Sequence, residues 1–285
     1  MRRARRLVAG GRHGDKSPDA DGSARSRDTA ESKWFWDHYD AAAGEVITSL
    51  ADAGISLTGR EVADIGCGDG ITDLGIAHKA EPRRLVGYDV DRTNDQLLQL
   101  AAAREGVPSE LPECLEFHAS EEVAIPAADA SFDAVVSWSA FEHVAQPALL
   151  ATEIRRVLRG DGVLFLQLWP FYLSEHGSHL WDWFENEPFV QLRYGLEEIE
   201  ARVTENQIGA DPAWCARMLH EYRSLNRITI DELQGALLAG GLVIRKAELY
   251  TSVIDIPHEL AHHRLADLAV SGIKLLAIPS EVEGG

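Results

Sequence analysis

Ten residues, Glu61-Val-Ala-Asp-Ile-Gly-Cys-Gly-Asp-Gly70, constrain this chain more than any other stretch. Val62, Ala63 and Ile65 suit a short buried strand, and glycines follow at 66, 68 and 70. Glycine tolerates backbone angles that a Cβ forbids, so this run lets the chain bend sharply and approach a ligand closely. The spacing then predicts a helix over Ile71 to Ala80 whose free N–H groups face the turn. Strand, glycine turn and helix N-terminus together make a cradle for a polar ligand.

A dinucleotide fingerprint needs its third glycine at position 71, where this chain has Ile71. An acid, Asp64, stands two residues before the first glycine, and a second apolar strand, Leu85-Val-Gly-Tyr88, ends in Asp89. The segment resembles motif I and the acidic strand end of the class I S-adenosylmethionine-dependent methyltransferases, a Rossmann-like family. Ser131-Phe-Asp-Ala-Val-Val-Ser137, Phe141-Glu-His-Val144 and Glu153-Ile-Arg-Arg-Val-Leu-Arg-Gly-Asp-Gly162 resemble later family segments in the right order. The resemblance implies that S-adenosyl-L-methionine is the cofactor, with the turn passing its methionine part and Asp89 accepting from both ribose hydroxyls. A carboxylate suits that role because it accepts from two donors at once. The implied cofactor set is Asp64, Gly66, Cys67 and Gly68 at the turn, Asp89 and Val90 after the second strand, Ser120 and Glu121 after the third, and Ser137 in the fourth. Many relatives carry an Asp after the third strand for the adenine amine. Here Ser120 and Glu121 occupy that place.

Hydrophobic periodicity supplies the rest of the frame. Arg84 to Val90 predicts the second strand, Asp91 to Glu105 a helix stopped by Gly106-Val-Pro108, Leu115 to Ser120 the third strand, and Ala134 to Trp138 the fourth. Pro147 opens a helix with Leu150, Ile154, Val157 and Leu158 on one face, and Val163 to Leu168 follows as the fifth strand. Thr229 and Glu232 form a capping-box pattern ahead of another helix, and Leu242 to Tyr250 and Gly272 to Pro279 supply two more strands. Strands alternating with helices imply βαβ units and right-handed crossovers. The expected fold is α/β, a doubly wound, mostly parallel seven-stranded sheet of the Rossmann-like methyltransferase type, its last strand antiparallel by resemblance.

Charge and composition divide the chain. Residues 1–30 hold eight Arg/Lys against four Asp and few large apolar side chains, so they read as a disordered basic tail. Residues 31–285 read as a single methyltransferase domain, with a helical stretch from Glu31 to about Ala53; since such a helix often closes over the cofactor in the resembling family, Tyr39 is a candidate contact by that resemblance. The net charge of −19 argues against nucleic acid as substrate, and no run is long and apolar enough for a membrane span. The apolar run after the N-terminal arginines stops at Ala9, so no export signal is read; three scattered cysteines suggest neither disulfides nor a thiolate zinc site, and a cytoplasmic setting is expected. The oligomeric state has no signal in the sequence.

Residues 170–227 break the strand–helix rhythm with clustered aromatics and read as a mostly helical insertion after the fifth strand, either a satellite core or a substrate lid. The lid reading follows from its position at the sheet edge where open α/β sheets bind ligands. Transfer of a methyl group to a hydroxyl of a small or medium-sized metabolite needs alignment and a base. His143, after the fourth strand, and His179, in the insertion, are the candidate catalytic residues, with packing as the alternative for each. Oxygen is the expected acceptor atom, with nitrogen and carbon as alternatives. A non-catalytic cofactor-binding scaffold is a second reading. A third is a zinc protease through His258-Glu-Leu-Ala-His262, which places two ligands one helical turn apart; Leu265 and Leu268 stand where its extended form needs Gly and His, and no metal is expected.

Overall fold

The computed structural model describes residues 32–91, 94–206, 212–251 and 253–280. The basic segment 1–30 lies outside the described residues. Among those described, seven strands form one sheet in the order β3-β2-β1-β4-β5-β7-β6. They are β1 (Glu61–Ile65), β2 (Arg84–Asp89), β3 (Leu115–Ala119), β4 (Phe132–Trp138), β5 (Leu158–Leu168), β6 (Leu242–Thr251) and β7 (Val270–Pro279). β1 to β5 pair in parallel, and β7 runs antiparallel between β5 and β6. This is the expected doubly wound Rossmann-like architecture.

The central strands are apolar on both faces because each face carries its own core. On one face Val62, Leu85, Val136 and Phe165 pack with α1 (Ala43–Ala51) and α2 (Ile71–Ala80). On the other, Ala63, Val86, Val135 and Leu164 pack with α4 (Pro147–Val157) and α9 (Ile230–Ala239). Fully buried parallel strands require this double cover. α9 begins at the predicted capping box, with the Thr229 hydroxyl accepting from Glu232 N–H and the Glu232 carboxylate from Thr229 N–H. The strand order reverses between β1 and β4, which opens a crevice at their carboxyl ends.

Several boundaries differ from expectation. The N-terminal helix opens into a wide π-type turn over Asp37–Ala42, where the Tyr39 carbonyl turns out to accept from Lys79. Tyr39 does not face the crevice: its hydroxyl lies 2.9 Å from His78 Nδ1, on the far turn of α2. The helix expected over 91–105 contracts to a 3₁₀ turn, Asn94–Gln96, and α3 (Leu97–Ala102). β5 starts at Leu158 rather than Val163, because Leu158 pairs with Phe132 before a bulge in which Arg159 pairs with Asp133.

The segment after β5 folds as α5 (Trp181–Phe184), α6 (Val190–Arg193), α7 (Leu196–Glu205) and α8 (Pro212–Ser224) around its own cluster of Leu180, Phe184, Ile199, Val203 and Leu219. Its first twelve residues, 169–180, are irregular. Of the zinc-protease pattern, His258–Leu260 forms a single 3₁₀ turn, separated from α10 (Leu265–Ala269), so the two histidines do not share an α-helical face. Instead His262 Nδ1 lies 2.9 Å from the Glu259 carbonyl, and the Glu259 carboxylate pairs with Arg193 at 3.3 Å. Among the described residues no group of three or more His, Cys, Asp or Glu is arranged to hold a metal ion.

Candidate active site

The glycine turn has one packed side and one open side. Gly66, Gly68 and Gly70 all have positive φ. A Cβ on Gly66 would lie 2.3 Å from Ala140 Cβ, and one on Gly70 would strike the Phe117 ring at 2.6 Å. At Gly68 a Cβ would meet nothing within 4 Å. Gly66 and Gly70 are therefore glycines for packing, whereas Gly68 faces the crevice.

Asp89 is bound to this turn, its Oδ2 accepting from Gly68 N–H at 2.8 Å and its Oδ1 from Asp91 N–H at 2.9 Å. The carboxylate is thereby held at the crevice mouth with lone pairs to spare. Beneath the turn lie Asp64, 2% exposed, and Asp73 on α2, fully buried. Burial pushes Asp64 up to about 7 and Asp73 well above the carboxylate range, the mutual repulsion adding to the latter. Cys67 is a neutral thiol, its ionisation suppressed by burial and by Asp73, Asp64 and Asp89, and it packs against Gly87.

The remaining predicted cofactor residues fall around the same edge. Val90 is 54% exposed beyond β2, Ser120 N–H donates to the Asp89 carbonyl, and Glu121 is exposed in a short bridge with Ala124. Ser137 is buried, and its hydroxyl donates to the Ile65 carbonyl at 2.8 Å, joining the ends of β4 and β1. Trp34 was not singled out by sequence, yet its indole N–H donates to Asp69 Oδ2 at 2.9 Å and straps the N-terminal helix over the turn. The sequence signal available is the aromatic run Trp34-Phe-Trp36, which does not say which ring reaches the turn.

The two candidate histidines meet. His143, on a 3₁₀ turn after β4, and His179, in the irregular start of the insertion, have ring centroids 5.7 Å apart in an edge-to-face arrangement. Ser224 Oγ donates to the Glu221 carbonyl, so its contact with His143 Nδ1 at 2.7 Å makes Nδ1 the donor. Nε2 then carries the lone pair, with Glu221 Oε2 at 3.8 Å to stabilise the ring should it gain a proton. Burial, aided by His220, lowers the His143 pKa against the pull of Glu221. His179 is more enclosed: burial, with His143 beside it, lowers its pKa to about 3 although the Pro170 carbonyl accepts a bond from the ring. Its Nε2 is buried without a partner, which leaves Nδ1 as the nitrogen bound to Pro170. Trp181 packs on His179, and Trp169 on Trp181, to form an aromatic wall. Ser224 and Glu221 lie some eighty residues from His143 and carried no motif.

Beside His143, Glu142 is 3% exposed and neither carboxyl oxygen has a hydrogen-bond partner. Burial, reinforced by Glu221, pushes its pKa from 4.5 up to about 8. Between those values the folded protein keeps a proton that the unfolded chain releases, so this group lowers stability as pH rises through that window. Glu142→Gln is therefore expected to raise Tm by roughly 3–8 °C at pH 8 and to change it by less than about 2 °C at pH 4. Calorimetry at both pH values checks this, and an equal shift at both would mean that the carboxyl titrates normally.

Sheet order and crevice are those of the Rossmann-like methyltransferase fold. Residues 63–166 match a family model described as a methyltransferase domain. A probable S-adenosylmethionine-dependent methyltransferase of Mycobacterium tuberculosis is 34% identical over 109 residues, 38% of this chain and 35% of that protein. A ubiquinone biosynthesis O-methyltransferase of Brucella anthropi is 26% identical over 184 residues, 65% of this chain and 60% of its own length. The chain thus spans between a third and two thirds of these curated relatives. Among solved structures, a chain in the complex between the Haloferax volcanii Trm112 methyltransferase activator and the putative methyltransferase superposes with a TM-score of 0.51 at 18% identity, covering 93% of this chain and 100% of that one. At that identity the likeness concerns the fold. No helix among the described residues is long and apolar enough to cross a membrane.

Proposed function

We propose that this protein transfers a methyl group from S-adenosylmethionine to a small or medium-sized metabolite, with oxygen as the acceptor atom. The carrying observation is the convergence, on one sheet edge, of the open Gly68 turn with its Asp89 carboxylate and a neutral His143 whose Nε2 lone pair is free. The open side of Gly68 and the spare acceptor capacity of Asp89 fit the cofactor. S-adenosylmethionine, when bound, supplies an electrophilic methyl on a positively charged sulfur that leaves as a neutral thioether. The chain's own part is to hold the acceptor oxygen in line with that methyl and to receive its proton on His143 Nε2. Ser224 keeps the base in the required tautomer, Glu221 stabilises the imidazolium, and the Trp169, Trp181 and His179 wall keeps water from the site. The ubiquinone-pathway relative is named an O-methyltransferase, which agrees with the choice of oxygen.

Titration calorimetry with S-adenosylhomocysteine, followed by methyl-transfer assays over a panel of hydroxylated metabolites, tests the reading. Tight cofactor-product binding with no turnover on any acceptor would favour a non-catalytic scaffold. Asp89→Ala is expected to weaken S-adenosylhomocysteine binding by roughly tenfold to a hundredfold, since hydrogen bonds to a charged acceptor contribute about 1.5–3 kcal/mol each. Unchanged affinity would remove Asp89 from the ribose site.

A further inference from the structure

A cleft of about 760 Å³ opens on the insertion, on a different face of α8 from the one that meets His143. Its lining includes Tyr172, Tyr222, Leu196, Leu225 and Arg227, and none of the glycine turn, Asp89, His143 or His179 borders it. The volume is that of a small-molecule site, and its exposed lining is mainly apolar. Tyr172 and Tyr222 lie nearly parallel, with ring centroids 6.5 Å apart and planes 17° from each other.

Arg227 is the unusual member. Its guanidinium sits 4.8 Å above the Tyr172 ring, and among the described residues it has no carboxylate partner. Three acids of the insertion and the segment beside it pair with other arginines: Glu200 with Arg223 at 2.6 Å, Glu187 with Arg202, and Glu259 with Arg193 at 3.3 Å. In a chain of net charge −19, a guanidinium left free in an aromatic cleft marks a place for an external anion. The backbone holds it there under constraint. Arg227 has φ 60°, a conformation that a non-glycine residue keeps only when its surroundings fix it. The fixing group is its neighbour Asn226, whose amide donates to the Phe141 and Val144 carbonyls at 2.6 and 2.8 Å.

We propose that this cleft is a second small-molecule site, which takes a planar ring bearing a single negative charge. The ring lies against the tyrosine and leucine walls and the anion pairs with Arg227. The proposal is independent of methyl transfer, so it can be tested without activity. The probe is 2-naphthoate, with 2-naphthamide as its uncharged counterpart, titrated into the full chain with saturating S-adenosylhomocysteine and followed by ligand-observed NMR. We expect the carboxylate to bind at least tenfold more tightly than the amide. Arg227→Asn, chosen because asparagine accepts a positive φ, is expected to abolish that preference while leaving Tm and S-adenosylhomocysteine affinity unchanged. Should that variant lose its fold, Leu196→Glu serves instead: Leu196 is 49% exposed in the cleft lining, and an added carboxylate is expected to repel the naphthoate and spare the amide. Equal affinity for the two probes, absence of binding, or a charge preference that survives the folded variant would each overturn the proposal.

Discussion

Gly68→Val is expected to weaken S-adenosylhomocysteine binding at least a hundredfold, to the edge of detection by calorimetry, while the protein still folds. The argument rests on the difference between neighbouring glycines. At Gly66 a Cβ has no room, being 2.3 Å from Ala140 Cβ, and substitution there would damage the junction of β1 and β4. At Gly68 a Cβ meets nothing within 4 Å, so an isopropyl group occupies the space where the cofactor is proposed to lie. The backbone there has φ 53°, and a side chain in that region costs about 1–2 kcal/mol, enough to lower Tm by several degrees without unfolding the domain. Comparison with Gly68→Ala separates backbone strain from bulk: if both variants bind alike, strain dominates. If both retain full affinity, the cofactor does not pass the turn.

His143→Ala is expected to reduce turnover by roughly a hundredfold to ten-thousandfold, with cofactor affinity changed by less than about threefold, which is the range for loss of a positioned base. The pH profile gives the more specific test. A base works when neutral, so the rate climbs as pH rises through its pKa and then levels off. Because the His143 pKa is lowered below 6.5, the climb should fall on the acid side of that value and the plateau should cover neutral pH. The alanine variant should lose this acidic limb. His179, with a pKa of about 3, should contribute no such limb but does tie stability to pH. Unfolded, its ring takes a proton below 6.5, whereas folded it resists down to about 3, so its contribution is complete above 6.5 and is lost as pH falls between those values. If turnover survives His143→Ala while falling in His179→Ala with the acidic limb unchanged, the base lies elsewhere and His179 positions the acceptor.

Local chemistry made most of the frame readable from sequence. Gly66 to Gly70, the Thr229–Glu232 cap and the apolar β strands each state their structure within a few residues, and the sheet follows from their order. The misplaced boundaries have tertiary causes. Lys79, forty residues away, draws out the Tyr39 carbonyl and widens a helix; Phe132 recruits Leu158 into a strand before the helix pattern has ended. The candidate site was half legible for the same reason. His143 and His179 carry the chemistry of a base and invite attention alone, but Ser224 and Glu221, which decide the tautomer of His143, are ordinary residues on a helix far along the chain. Arg227 was likewise one basic residue among many until the fold set its guanidinium over the Tyr172 ring in an aromatic cleft.

The position of β7 sets an order on synthesis. It is the last strand of the sheet to leave the ribosome, yet its place lies between β5 and β6 and not at a margin. Until residues 270–279 emerge, β5 keeps an unpaired edge bearing Leu164, Leu166 and Leu168, and β6 has no strand to join. The N-terminal layer waits as well, because Glu45 on α1 accepts from Tyr250 and from Lys274 across more than two hundred residues of chain. A nascent molecule therefore carries a sticky, half-closed sheet through most of translation, and chaperone demand should peak just before the final strand arrives.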